Sequence, residues 1–546
     1  MSNYDLGTYG RSVTTSNDQA QLWFNRGLVW TYAYNHEEAV ACFKEALLAD
    51  PTCAMAHWGV AYAIGPNYNR PWESFEPEEK PDALGSARDA LAATDGLEAS
   101  PVETALIDAL KTRYPEDAGI ESFDPWNDAY ADAMRTVRDA HPEDLDVTAL
   151  LAEAIMNRTP WQLWDLPTGK PAEGADTVEA ITVLEHAFDT LDGAWSHPGL
   201  LHMYIHLMEM SPHPERALRH GDALLRLVPD AGHLVHMATH IDVLCGDYQN
   251  VVQRNEAAVA VDRKYLAHRG AENFYSVYRC HNYHFVIYGA MFLGQPGPAL
   301  AAADELIETL PAKTLRPMAD WFEGFVPMRQ HVLVRFGMWD AILAQDLPVD
   351  TELFCVTLAM IRYARTIALA NLGRTAEAET EFVAFEEAWG AVPESRMLFN
   401  NSCRDILRVA ECMAKGELAY HKGDYDAAFD ALRQAVAMDD TLPYDEPWAW
   451  MQPARHALGA LLLEQGNLDE AEAVYRADLG LDATLARACQ HPDNLWSLHG
   501  LVECLDRRGA GDTFEAGLVR QRLERALARA SVQVAASCYC RGRQAA

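Results

Sequence analysis

Eleven of the twenty histidines in this chain fall between His197 and His284, and their spacing is that of helix faces able to hold a metal ion. His202-Met-Tyr-Ile-His206 sets two imidazoles one turn apart, close enough to chelate a single ion. Gly232-His233-Leu-Val-His236-Met-Ala-Thr-His240 presents three more at i, i+3 and i+7, and His281-Asn-Tyr-His284 adds two at i, i+3. Helical proteins assemble metal centres in this manner, with ligands projecting inward from facing helices. Seven imidazoles exceed the needs of one ion, so a pair of ions with about three histidines each is conceivable. An imidazole-rich set favours copper, with iron and zinc as competitors.

Supporting groups lie nearby. Glu209, three residues after His206, is the first carboxylate to consider as a general base, and Asp242, Asn282 and Tyr283 sit beside ligand candidates. A ligating imidazole needs its second nitrogen held by a hydrogen bond. Tyr204, with the more distant His36, Asn67 and Asn69, would contact a substrate if the chain curves round. The plain reading of any single histidine is packing. Recurrence on three helical stripes is what argues for a site, because imidazoles are costly to bury unpaired.

The elements that position these residues read as helix pairs. Trp23, Gly27, Ala39, Phe43, Ala46 and Pro51 follow in the order of a tetratricopeptide unit. Gly27 and Ala39 let two helices approach, Phe43 and Ala46 fill the gap, and Pro51 ends the second helix. The same grammar recurs at Leu372-Gly373-Arg374, Lys422-Gly423-Asp424 and Gln465-Gly466-Asn467, each between alanine-rich helical segments. No segment alternates as a strand does. The expected fold is all-α, with helix–turn–helix repeats stacked into a superhelix. Its expected parts are N-terminal repeats (1–75), a helical region with loop insertions (76–190), a histidine-rich region (191–300) and C-terminal repeats (301–546), in one continuous body. Residues 165–173 read as a surface loop.

Composition narrows the function classes. Eighty acidic against 44 basic residues give a net charge of −36, which disfavours nucleic acid and anionic membranes as partners. No stretch approaches a membrane span and the N-terminus lacks a signal pattern, so a cytoplasmic location is expected. Eleven cysteines, an odd count, argue for reduced thiols. Cys538-Tyr-Cys540 reads as a frayed tail with incidental thiols, a soft-metal pair being the alternative. The segment around Tyr444-Asp445-Glu446-Pro447 suggests an ion pair between Glu446 and Arg455. No phosphate-binding glycine loop or serine nucleophile elbow is present.

The strings Trp23-Phe24-x-x-Gly27-Leu28, Tyr34-Asn35-His36-x-Glu38-Ala39 and Gly65-Pro66-Asn67-Tyr68-Asn69 are longer than generic repeat matches. With His202-x-Tyr204-Ile205-His206, Gly232-His233-Leu234-x-His236-Met237-x-x-His240-Ile241 and His281-Asn282-x-His284-Phe285, they cover nearly the whole chain. In these the chain resembles a widespread group of bacterial tetratricopeptide-repeat proteins. The resemblance implies the repeat fold and carries no activity with it. Where that group has serine or proline after the middle histidine of the longest string, this chain has Ala238 and Thr239, positions from which no ligand is drawn.

The expected function is a metal-dependent oxidoreductase or oxygenase acting on a small molecule, with His202, His206, His233, His236, His240, His281 and His284 as the ligand pool. The alternatives are a non-catalytic scaffold for a protein or peptide partner and a metal-binding or sensing protein.

Overall fold

The computed structural model describes residues 4–114 and 122–541, which form two compact units divided after Ile241. Both are built of α-helices joined by short turns. Among the described residues the only paired strands are two-residue ribbons, Trp164–Asp165 with Lys170–Pro171 and Met397–Leu398 with Asn401–Ser402. The first of these sits in the loop expected at 165–173.

In the first unit, helices Asp18–Tyr32 and His36–Ala49 form a hairpin across three residues. Asn17 and Asn35 start the two helices by accepting hydrogen bonds from backbone amides of the first turn, groups that otherwise lack partners. Phe43 is wholly buried against glycines on both sides. A Cβ on Gly27 would stand 2.6 Å from its ring, and one on Gly59 of helix Ala54–Ile64 would stand 2.5 Å from it. Three helices thus close around one aromatic ring because two of them lack side chains at the contact. Helices Glu79–Ala92, Pro101–Lys111 and Asp124–Ala140 continue the unit, and a capping box between Ser100 and Glu103 starts the second of them.

The second unit repeats the hairpin. Cys355–Asn371 pairs with Thr375–Gly390, Cys403–His421 with Tyr425–Asp439, and Ala454–Glu464 with Leu468–Asp478. At the middle turn Gly423 takes φ 83°, a left-handed conformation disfavoured by any side chain. Arg455 here pairs with Asp440, not with the expected Glu446. Asp440 ends its helix one repeat back and lies within the guanidinium's reach. No helix among the described residues is long and apolar enough to cross a membrane.

Gly59→Val should destabilise the first unit by about 1–3 kcal/mol, since the Phe43 ring has no free volume to retreat into. Urea unfolding followed by circular dichroism should show a lowered midpoint, whereas an unchanged midpoint would show that Phe43 does not fix the spacing of the three helices.

Candidate metal centre

Helix Pro198–Glu209 begins at His197, whose Nδ1 accepts from the Leu200 amide at 3.1 Å. Its Nε2 therefore carries the proton and donates to Asp146 at 3.2 Å. Burial pushes the Asp146 carboxyl up, but the hydrogen bond from His197 and the charge of nearby Arg11 outweigh it and hold the group below the usual range. His197 is thus a cap and anchor rather than a ligand. All twelve residues of this helix are buried, so it lies at the heart of the first unit.

His202 and His206 project from one face of it. The His202 Nδ1–H donates to the Tyr32 carbonyl at 2.7 Å. Tyr32 is the last residue of its helix, where carbonyls have no partner within the helix. The His206 Nδ1–H donates to Glu209 Oε1 at 2.9 Å, one turn along. Opposite, the chain from Gly232 to Leu244 is helical but interrupted at Met237, and it brings His233, His236 and His240 to the same place. The His240 Nδ1–H donates to the other Glu209 oxygen at 2.6 Å.

Three tautomers are thereby fixed, because a carbonyl or carboxylate accepts and cannot donate. His202, His206 and His240 each turn Nε2 into a space where His202, His206, Glu209, His233, His236 and His240 are all at most 1% exposed. His202 Nε2 lies 3.1 Å from His233 Nε2, and His240 Nε2 lies 2.6 Å from His236 Nε2. In each of two groups, His202 with His206 and His233, and His206 with Glu209 and His240, the donor atoms lie within 4.8 Å of one another. Burial drives the His202 imidazole down to about 3, and the same cause, with neighbouring imidazoles adding to it, puts His206 and His233 well below 6.5.

His206 is the sharpest case. Its Nε2 is buried and has no hydrogen-bond partner among the described residues, a loss of about 1–3 kcal/mol for an ordinary polar atom. Aromatic rings surround it: Tyr34 stacked at 6.0 Å, Tyr68 at 5.1 Å and Trp161 edge-on at 5.8 Å. Tyr34 and Trp161 both hold left-handed backbones, φ 54° and 60°, which aromatic residues rarely adopt and which gather at functional sites.

Not every expected residue takes its expected part. Glu209, expected as a general base, has both oxygens engaged by imidazoles and orients them. Tyr204 points away from the centre, giving its hydroxyl to Glu185 at 2.7 Å and its ring to His220. His36 and Asn67 meet each other at 3.5 Å, and burial lowers His36 to about 3. The Asn69 Oδ1 is buried without a hydrogen-bond partner among the described residues. His281 and His284 stand on helix Ser276–Leu293 in the second unit. There His281 packs edge-on against Phe399, and His284 Nε2 lies 2.7 Å from the Met451 sulfur. Asn282 donates to Asp262, and Asp242 pairs with Arg254. The role of Glu209 was half visible in its i+3 spacing from His206, whereas the Tyr32 carbonyl left no mark in the sequence.

Among known proteins, the profile of the tetratricopeptide repeat matches residues 412–441. That segment takes in the end of helix Cys403–His421, the Gly423 turn and helix Tyr425–Asp439. The match shows one tetratricopeptide repeat in a chain that is all-α in both units. Among solved structures it is similar to a chain of the APC/C hetero-tetramer Cut9-Hcn1, with 12% identity over 94% of this chain and 78% of that one and a TM-score of 0.31. Yeast Tom70 is 10% identical over 93% of this chain and 92% of its own, with a TM-score of 0.24. The P58(IPK) TPR domain is 11% identical over 93% and 98%, with a TM-score of 0.21. No curated protein sequence matches the chain.

A buried histidine whose folded-state value is depressed stays neutral in the fold and charges in the unfolded chain. Its contribution is complete above the unfolded value near 6.5 and is lost as pH falls toward the folded value, about 3 for His202. In metal-stripped protein each such group should steepen the loss of stability by at most about 1.4 kcal/mol per pH unit in that window. Urea midpoints measured from pH 7 to pH 4 should fall less steeply for His202→Gln, and equal slopes would contradict the neutral, buried assignment.

Proposed function

We propose that the first unit binds a metal ion at this histidine centre, so that the chain is a tetratricopeptide-repeat protein with a built-in metal site. The observation that carries the reading is the buried Nε2 of His206, without a hydrogen-bond partner among the described residues and set beside His202 and His240, whose Nδ1 protons are held outward. His202, His206 and His233 would hold one ion, with His236 and His240 as the adjacent pair. Glu209 would orient His206 and His240 by accepting their Nδ1 protons, the usual support of ligating imidazoles.

An all-nitrogen donor set favours copper over iron or zinc. Copper or iron would supply redox chemistry, and zinc a Lewis acid. Oxidoreductase or oxygenase activity on a small molecule is the catalytic form of this reading. A second reading, a scaffold for a protein or peptide partner, is favoured by the repeat match at residues 412–441, since stacked helix pairs commonly present binding surfaces.

Untagged protein should carry at least one equivalent of copper, iron or zinc by elemental analysis, either as purified or after refolding with each metal in turn. His206→Gln should lose it while keeping its helical circular dichroism. Absence of metal under every reconstitution would leave the scaffold reading alone.

Glu209→Gln tests the orienting role separately. An amide oxygen can accept from one of the two imidazoles, but its NH2 meets the other's proton and forces that ring to turn. Metal affinity should fall about 10- to 100-fold in a competition titration, and unchanged affinity would remove Glu209 from the site.

A further inference from the structure

The second unit holds another group of donor atoms, unconnected with the histidine centre. Glu417, on the inner face of helix Cys403–His421, lies with its carboxylate oxygen and the sulfurs of Cys538 and Cys540 all within 4.8 Å of one another. The sulfurs are joined as a disulfide. Of the nine other cysteines, all but Cys245 are buried.

The C-terminal segment is not the frayed tail expected from sequence. Ser537 is fixed on three sides: its Oγ donates to the His456 carbonyl at 2.9 Å, its Oγ meets the Tyr475 hydroxyl at 2.5 Å, and its carbonyl accepts from Arg335 at 2.5 Å. Tyr539 packs on Gly337, where a Cβ would come within 2.9 Å of it. Arg541 donates to Glu503 at 2.6 Å. With Ser537, Tyr539 and Arg541 tied down, the two intervening cysteines are held over Glu417.

Among the described residues no cationic partner accounts for the burial of Glu417. It is 2% exposed and accepts one hydrogen bond, from Asn371 at 3.0 Å. Burial raises its carboxyl to about 7. One turn along, the His421 ring is hydrogen-bonded to the Cys540 backbone, and its Nε2 is buried without a hydrogen-bond partner among the described residues. Two sulfurs, a carboxylate and an imidazole are the donor types of a four-ligand zinc-like site.

We propose that Cys538, Cys540 and Glu417 form a site for one soft divalent ion, closed by the disulfide and opened by its reduction, with His421 as the candidate fourth ligand. Opening needs an external dithiol. It supplies two electrons and two protons, leaves as its own disulfide, and converts the bonded pair into two thiols. The ion then replaces the two thiol protons, and that of Glu417 where the carboxyl is protonated, releasing them to solvent.

Cadmium is the probe, because its thiolate charge-transfer absorption reports sulfur ligands and is silent for imidazoles. Full-length protein is reduced with a dithiol, desalted without air and titrated with Cd(II). The reduced wild type should show a band that saturates at one equivalent. The disulfide form should lack it, Cys538→Ser/Cys540→Ser should abolish it, and Glu417→Gln should weaken binding at least tenfold. A band that survives in the double serine variant would overturn the proposal, as would its absence from the reduced wild type. Should the serine variant unfold, the wild type decides alone. Cadmium should raise the melting temperature of the reduced form more than that of the disulfide form, and equal rises would overturn the site.

Discussion

The carboxylate of Glu209, placed between His206 and His240, is the constraint around which the first unit is arranged. A buried anion must be met by donors, and two Nδ1–H groups from separate segments meet it. That requirement draws the segment starting at Gly232 onto helix Pro198–Glu209. It also turns the opposite nitrogens of both rings inward. His202 obeys the same logic with a different acceptor, the Tyr32 carbonyl at a helix end. The hairpin at the N-terminus therefore supplies the backbone atom that sets one of the inward-facing imidazoles, and the closeness of its helices, fixed by Gly27 and Gly59 around Phe43, bears on a centre more than a hundred residues away in sequence.

Helix periodicity made much of this legible. Imidazoles at i and i+4, or at i, i+3 and i+7, must share a face wherever the helix runs, so two of the three histidine stripes could be read as pairs before any packing was known. The turns at Gly373, Gly423 and Gly466 and the alanine-rich helices that flank them were visible for the same reason. What spacing does not carry is which faces meet. It placed His281 and His284 in one ligand pool with the others; their helix belongs to the second unit, where His284 lies against the Met451 sulfur. It offered Tyr204 to the site because of its neighbours in sequence, yet an i+2 position on a helix turns away from them. Glu209 was singled out for its carboxylate chemistry, but proton transfer and ligand orientation demand the same residue type. Only the partners of its two oxygens separate them. The left-handed backbones of Tyr34 and Trp161 had no compositional sign at all, since neither is a glycine or asparagine.

The two units present different donor chemistry. The first offers imidazole nitrogens within a polar cluster sealed by aromatic rings, and the second offers sulfurs tied down beside a carboxylate. A chain with 36 more negative than positive charges surrounds itself with a potential that concentrates cations and repels anions, which suits positively charged ligands at either place. Part of the acidic surplus is committed to ion pairs between neighbouring repeats, such as Arg433 with Glu470 and Arg508 with Asp469. These pairs lie on the outer faces of the helices, where each contributes little alone.

The histidine centre is closed on every side, with none of its five imidazoles more than 1% exposed. An ion held there has no static doorway, so entry and departure must wait for the helices to part. The dwell time would then be set by how often this region of the first unit opens, a property of local unfolding rather than of ligand bond strength. Occupancy would record the metal available while the chain was folding, and the mature protein would exchange its ion only slowly with its surroundings.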